Sequence, residues 1–271
     1  MKPSLLIAGA GYLGSEIANL AKNHHVSTAT KSGEDGHEAC DLSSAEQVFR
    51  LSRKIPTPKV IVHCASSGRG GAEAYRAVFI EGARNLLAAF PESHLILTSS
   101  TSVYHQTDGS DVDEDSPTEP IRETSQLLLE AEKIVLDSGG TIARLAGLYG
   151  PGRSVVLRKF LDGTAVIEEA GQRIFNQIHV KDAALATLHL AKGRLSGVFN
   201  VSDNSPISQL ECYQGLAEYF DKQLPPTGKK NTSRKRAWTH KRVLNRKIRE
   251  TGWEPAFPRF FDALDSLASD S

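Results

Sequence analysis

The residues best placed for chemistry in this 271-residue chain lie near its start. Gly9, Gly11 and Gly14 stand in Leu5-Leu6-Ile7-Ala8-Gly9-Ala10-Gly11-Tyr12-Leu13-Gly14, a GxGxxG spacing between an apolar run and an amphipathic one. In such a loop the first glycine permits a tight turn and the second lets backbone N–H groups approach a pyrophosphate. The third lets the helix pack closely on the strand. The spacing alone is weak evidence, and a purely structural glycine turn is the alternative reading. A strand before it and a helix after it supply the context that a dinucleotide site requires. Gly9, Gly11, Tyr12, Leu13 and Gly14 are therefore candidate cofactor contacts. About 20 residues further on, an acid normally takes the adenosine ribose hydroxyls of NAD. Here that place holds Thr30, Lys31 and Ser32. Two hydroxyls and a cation suit a 2′-phosphate, which predicts NADP, with NAD as the alternative; Glu34 and Asp35, further along, would blunt the preference.

Other charged groups carry less information. Asp108, Asp111, Asp113, Glu114 and Asp115 form an acidic loop, read as a solvated loop or as a substrate-facing one. From Lys222 to Arg249 there are eleven Lys or Arg and no Asp or Glu, with Trp238 and His240 interleaved. That stretch suits recognition of an anionic, phosphate-bearing substrate, an exposed basic face, or nucleic acid. Lys+Arg 32 against Asp+Glu 32 argues against a dedicated nucleic-acid or membrane-surface binder. Cys40, Cys64 and Cys212 are too widely spaced for a disulfide framework or a zinc site, which predicts no metal and a reducing, cytoplasmic setting. His63 and His179 stand singly and read as structural. Lys2, the apolar Leu5-Leu6-Ile7 and the small pair Ala8 and Ala10 imitate a signal peptide, but the apolar run is too short. No run approaches the roughly 18 apolar residues of a membrane span.

The elements that must position these groups are legible as alternating short apolar runs and amphipathic stretches. Strands are predicted at 5–8, 26–29, 60–64, 95–97, 141–144 and 198–201. Helices are predicted at 12–22, 44–53, 75–90, 125–137, 180–192 and 209–219. Such alternation means βαβ units feeding a parallel sheet covered on both faces. The predicted fold is α/β, a Rossmann doubly wound sheet with a small C-terminal substrate-binding subdomain. Residues 1–150 and 178–203 are assigned to the nucleotide domain, and 151–177 and 204–271 to the smaller part.

At Thr98-Ser99-Ser100-Thr101-Ser102-Val103-Tyr104 the sequence resembles the extended short-chain dehydrogenase/reductases, the group of nucleotide-sugar epimerases and dehydratases. Further landmarks match in order. Asp41-Leu42 is similar to the adenine-contacting loop, and Val62-His63-Cys64-Ala65 to the fourth-strand turn beside the cofactor. Glu81-Gly82-Ala83-Arg84-Asn85-Leu86-Leu87 resembles the following helix. Arg144-Leu145-Ala146-Gly147-Leu148-Tyr149-Gly150-Pro151-Gly152 resembles the loop that opens the substrate domain, and Ile178-His179-Val180-Lys181-Asp182-Ala183 the segment that returns from it. Asn245 to Trp253 resembles the C-terminal helix and turn. The resemblance implies cofactor contacts at Asp41, Leu42, Cys64, Ala65 and Ser66, and substrate contacts at Arg144, Gly147, Tyr149 and Arg153. It also points to two helices, 75–90 and 125–137, as a possible homodimer bundle. The second of these carries more apolar surface than one core-facing stripe needs.

The resemblance further implies a Ser or Thr that orients substrate, a Tyr that exchanges the proton, and a Lys four residues after that Tyr. Near pH 7 a phenol of pKa about 10 needs such a cation. Ser100 matches the first. Thr124 stands where the Tyr should be and Leu128 where the Lys should be. None of the six tyrosines is followed four residues later by Lys. Tyr149 is followed by Arg153, a nearby cation in the substrate-domain loop. Phe79 and Gly147 replace asparagines common in the group. The groups left for catalysis are Ser100, Tyr104, His105 and Thr124, the last doubling as a candidate N-cap. Three readings stay open. The first is an NAD(P)-dependent oxidoreductase acting on a small carbonyl, alcohol or nucleotide-sugar-like molecule. The others are a non-catalytic NADP(H)-binding sensor or interaction protein, and a nucleotide-sugar epimerase or dehydratase.

Overall fold

A computed structural model describes residues 2–68, 70–168, 170–229 and 238–268. The chain runs through β1 (Ser4–Ala8), α1 (Tyr12–Leu20), β2 (His25–Thr30), β3 (Glu38–Ala39), α2 (Ala45–Lys54) and β4 (Val60–His63). There follow α3 (Ala72–Tyr75), a π-helical turn (Arg76–Glu81), α4 (Gly82–Ala89), β5 (His94–Ser100), β6 (Asp111–Val112), α5 (Glu123–Asp137) and β7 (Thr141–Leu145). Next come β8 (Gly147–Tyr149), α6 (Val155–Leu161), β9 (Ile167–Glu168), β10 (Ile174–Phe175), β11 (Gln177–His179), α7 (Val180–Gly193) and β12 (Gly197–Val201). The rest is β13 (Ile207–Ser208), α8 (Gln209–Phe220), β14 (Thr227–Gly228), β15 (Arg242–Val243), α9 (Arg246–Glu250) and α10 (Leu264–Ala268).

Seven parallel strands form the central sheet in the order β12-β7-β5-β4-β1-β2-β3. The order reverses between β1 and β4, the point at which an open α/β sheet leaves a crevice beyond its strand ends. Side chains alternate across the strands. Leu5 and Ile7 of β1 join Ile17 of α1 and Ala183 and Leu190 of α7 on one face. Leu6 and Ala8 join Val48 of α2, Leu86 of α4 and Leu128 and Val135 of α5 on the other. A separate apolar core gathers Tyr149, Leu157, Phe160, Ile167, Cys212, Leu216 and Phe260. Hydroxyl caps fix where helices begin: Ser44 accepts from the N–H of Gln47, and Ser208 with Glu211 closes a reciprocal capping box on α8.

Two expected elements are corrected. Helix α5 starts at Glu123 with Arg122 as its cap residue, so Thr124 sits inside the first turn and is not the N-cap. The helix predicted from residue 75 begins at Ala72 and is interrupted by the π turn, whose Val78 carbonyl accepts a hydrogen bond from His63 Nε2 at 2.9 Å. Leu127, Leu128, Ala131 and Val135 are buried, and Leu129, Ile134 and Leu136 pack partly buried against the same core. Charged pairs line the outer edge, among them Lys133 with Asp137 at 3.0 Å. Among the described residues no helix is long and apolar enough to cross a membrane.

Candidate functional site

The glycine loop lies where the strand order reverses, between the end of β1 and the start of α1. Gly9 has φ 111°, and its N–H donates to the Ala29 carbonyl at 2.8 Å. A Cβ on Gly9 would lie 2.2 Å from the backbone nitrogen of Ala65, and one on Gly14 would lie 2.2 Å from the Gly9 carbonyl oxygen. A Cβ on Gly11 would meet nothing within 4 Å. Two glycines therefore close the loop tightly, while the third faces open space at the start of α1. That helix begins without a side-chain cap and without an acid in its first turn. Its first N–H groups and positive dipole end suit a phosphate. The residues present fit a dinucleotide pyrophosphate.

The flanking contacts divide. Leu13 and Leu42 are buried, and their side chains pack in the two cores of the sheet. Cys64 donates to the Gly9 carbonyl at 3.2 Å, and burial pushes its thiol up to about 12, which makes it an inert brace under the loop. Ala65 carries the backbone that Gly9 abuts, and Ser66 is exposed beyond it. At the end of β2 the Thr30 hydroxyl accepts from the N–H of Gly33 at 3.0 Å, and Ser32 is exposed. Lys31 Nζ lies 2.7 Å from Asp41 Oδ2. Of the acids near Lys31 in sequence, the one that meets it is therefore Asp41, not Glu34 or Asp35.

At and beyond the end of β5 the polar groups turn inward. Ser100 ends β5, and its Oγ accepts from the N–H of Ser102 at 3.1 Å. Ser102 Oγ lies 3.4 Å from Ser125 Oγ, joining β5 to the first turn of α5, which Thr124 shares half-buried. Leu128 is buried in the core. Tyr104 is fully buried: its hydroxyl donates to Asn200 Oδ1 at 2.9 Å and accepts from Arg144 at 2.8 Å. Burial raises its pKa, against the pull of Arg144. Arg144 is buried too, doubly bonded to Glu132, with the closest approach 2.7 Å. Ser99 Oγ donates to the same carboxylate. Tyr104, expected among the groups left for catalysis, and Arg144, expected to contact substrate, are both buried away from solvent. Both belong to one internal network whose charges are paired, as burial demands.

The loop after β8 behaves in the same way. Tyr149 is buried with its hydroxyl unpartnered, and burial raises its pKa. Arg153 covers the ring of Tyr12 at 5.2 Å, while the Tyr12 hydroxyl donates to the Pro151 carbonyl at 3.0 Å. Gly147 donates to the Asn176 carbonyl at 2.9 Å. His179 caps α7 by accepting from the N–H of Lys181 at Nδ1, so its proton sits on the buried, unpartnered Nε2. Burial, with Lys181 nearby, lowers its pKa to about 4.

The sequence pattern of the NAD dependent epimerase/dehydratase family matches residues 5–202. The chain belongs to that family. Among its relatives is Protein YeeZ of Escherichia coli, 28% identical over 236 residues, covering 81% of this chain and 84% of YeeZ. Another is a 3-diazoavenalumate denitrifying reductase of a Streptomyces species, 24% identical, covering 96% of this chain and 98% of that one. A solved structure from Methylobacillus flagellatus superposes with TM-score 0.81 at 25% identity, covering 99% of this chain and 98% of that one.

In this member of the epimerase/dehydratase family, several contacts around Tyr104 and Asn200 were not read from the sequence. Glu114 of the acidic loop is half-buried, and its carboxylate accepts from the N–H of Asn200 at 2.6 Å, whereas Asp108 and Asp113 cap Ser110 and Ser116 locally. Lys241, in the basic stretch, is buried and donates to the Tyr104 carbonyl at 2.7 Å; burial lowers its pKa to about 8. This residue at least is no part of an exposed basic face. Residues 230–237 of that stretch lie outside the described residues.

Proposed function

We propose that this chain is an NAD(P)-dependent oxidoreductase of the extended short-chain type. It would reduce a small carbonyl, or a comparably electrophilic, nucleotide-sugar-like substrate, without the tyrosine–lysine pair. The observation that carries the reading is the closed glycine loop with open space at Gly11, at the same carboxyl edge of the parallel sheet as Ser100, which ends β5. A bound dinucleotide would supply the hydride, and Gly9 to Gly14 would hold its pyrophosphate. Ser100 accepts from a backbone N–H, so its own proton is available to a substrate oxygen, with Thr124 as the second hydroxyl within reach of the same turn. Helices α6 and α8, built on the separate core around Tyr149 and Phe260, form the substrate wall.

Neither a threonine hydroxyl nor a leucine side chain gives or takes a proton readily near pH 7, so in either direction the proton must be relayed between the substrate oxygen and water through a hydroxyl. Similarity to a reductase favours reduction, and an epimerase cycle, which passes the proton twice, is the less favoured alternative. The buried Leu128 favours one competing reading, a dinucleotide-binding sensor. The three free cysteines fit a reducing cytosol.

The test has two stages. Thermal-shift titration with NADP(H) and NAD(H) should raise the melting temperature as RT ln(1 + [L]/Kd). Oxidation of the reduced cofactor against a panel of aldehydes, ketones and nucleotide sugars should then be lost in Ser100→Ala. Binding with no turnover of any substrate would establish the sensor in place of the enzyme.

A further inference from the structure

Lys241 is 4% exposed, yet no carboxylate among the described residues pairs with its ammonium. An ammonium donates three hydrogen bonds, and among the described residues this one meets a single acceptor, the Tyr104 carbonyl at 2.7 Å. Burial, and after it the like charge of Arg173, brings its pKa down to about 8. A buried cation without a counter-charge is costly for folding. The backbone around Lys241 shows what that cost accompanies. On one edge the His240 N–H donates to the Gln106 carbonyl at 3.0 Å, the His240 carbonyl accepts from Gly109 at 2.8 Å, and β15 continues alongside β6. On the other edge the Asn176 side chain donates to the Lys241 carbonyl at 3.0 Å and accepts from the Val243 N–H at 2.7 Å. Residues 240–243 are thus a strap stitched both to the loop that follows β5 and to the residue that precedes β11. Side chains alternate along it: His240 and Arg242 line one cavity with Asp108 and Glu211, while Lys241 reaches Tyr104. Tyr104 closes the single turn that Ser100 opens, its N–H donating to the Thr101 carbonyl and the Ser100 hydroxyl accepting from Ser102. The ammonium therefore grips the exit of the turn whose entry carries the hydroxyl set toward substrate.

We propose that Lys241 is a positioning residue for Ser100, its ammonium fixing the Ser100–Tyr104 turn against the strap, an inference that rests on the reductase reading above. A charged donor holds a carbonyl more firmly than a neutral one, so the grip slackens when the ammonium loses its proton. The groups facing it do not oppose that loss. Arg173 is of like sign and has Glu168 at 3.9 Å, the Tyr104 phenol turns away to Asn200 and Arg144, and His240 and Arg242 look to the other side of the strap.

The experiment measures turnover of a carbonyl substrate that the wild type reduces, together with dinucleotide affinity by thermal shift, for the wild type, Lys241→Met and Lys241→Arg between about pH 6 and pH 10. Wild-type kcat should fall as pH rises through about 8 while dinucleotide affinity holds. Lys241→Met should lower kcat about tenfold at neutral pH, with dinucleotide affinity unchanged, because the reacting hydroxyl is misplaced and the glycine loop is not. Lys241→Arg, charged across the whole range, should restore most of kcat and remove the alkaline fall. Should Lys241→Met lose its fold, the wild-type profile and Lys241→Arg decide. A wild-type profile flat through pH 8, an alkaline fall that survives in Lys241→Arg, or a Lys241→Met that keeps wild-type kcat would overturn the positioning role and leave the reductase standing. Loss of dinucleotide affinity in step with kcat would overturn it too, as general damage. A wild type that binds dinucleotide and reduces no substrate would overturn the reductase reading and this inference together.

Discussion

At the glycine loop the backbone does the binding: two glycines allow close contact, the third opens space, and the helix end offers its N–H groups without any side chain in the way. At the end of β5 the polar side chains most able to move protons or hold anions, Tyr104, Arg144 and Glu132, face the core and one another. The first arrangement is open toward a ligand and the second is closed against one. Holding a dinucleotide and performing chemistry on it are thus separable properties in this fold, and the chain can keep one while rebuilding the other.

The sharpest way to break the contrast is to open the closed region. Glu132→Ala leaves the Arg144 guanidinium buried without its counter-charge and is expected to cost about 3–5 kcal/mol in a urea unfolding experiment. A loss under about 1 kcal/mol would mean that Arg144 can turn to solvent and serve a ligand. Next in size is Asp203, buried beyond β12, whose carboxyl is raised to about 7 first by burial and then by Asp182 and Asp262. The folded state holds this proton more tightly than the unfolded chain. Its contribution is complete below about pH 4, fades as pH rises to about 7, and is flat above. Asp203→Asn should be more stable than wild type at pH 8, by about 2–4 kcal/mol, and the gap should close toward pH 4. Gly9→Ala, with φ 111° and a Cβ against Ala65, should cost about 1–3 kcal/mol and abolish stabilisation by dinucleotide. Retained stabilisation would show that the loop is structural only. Ser100→Ala should be the mildest for the fold, losing under about 1 kcal/mol through its cap on Ser102. Dinucleotide affinity should be unchanged and turnover down about 100-fold; equal losses of affinity and turnover would blur the division.

How far the sequence spoke follows the same division. The strands, helices and glycine loop obey local rules of period, turn and cap, and those rules are written in consecutive residues. The direction in which Tyr104 and Arg144 point depends on partners 96 and 12 positions away in the chain. One signal was available: an arginine within the apolar run Thr141-Ile142-Ala143-Arg144-Leu145 of a sheet covered on both faces must find an acid, and Glu132 on the preceding helix stands at helical spacing from the apolar Leu128 and Val135, on the core-facing side. The Lys31–Asp41 pair was hidden differently, since it needs the register of a two-residue strand, β3, too short to show a period.

The π turn between α3 and α4 has a consequence for how the outer surface fits together. Arg76 and Arg84 both reach Glu130 Oε1 on α5, at 3.6 and 3.7 Å. Eight residues apart on a regular helix they would diverge by about 80°, whereas seven apart they would nearly align. The wider turn absorbs one residue, so that the chain counts eight where the geometry counts seven. Deleting a single residue from Val78–Ile80 would let the helix become regular with both arginines still over Glu130, whereas an insertion there would swing one of them about 100° away. This stretch of surface should therefore tolerate shortening by one residue and resist lengthening by one.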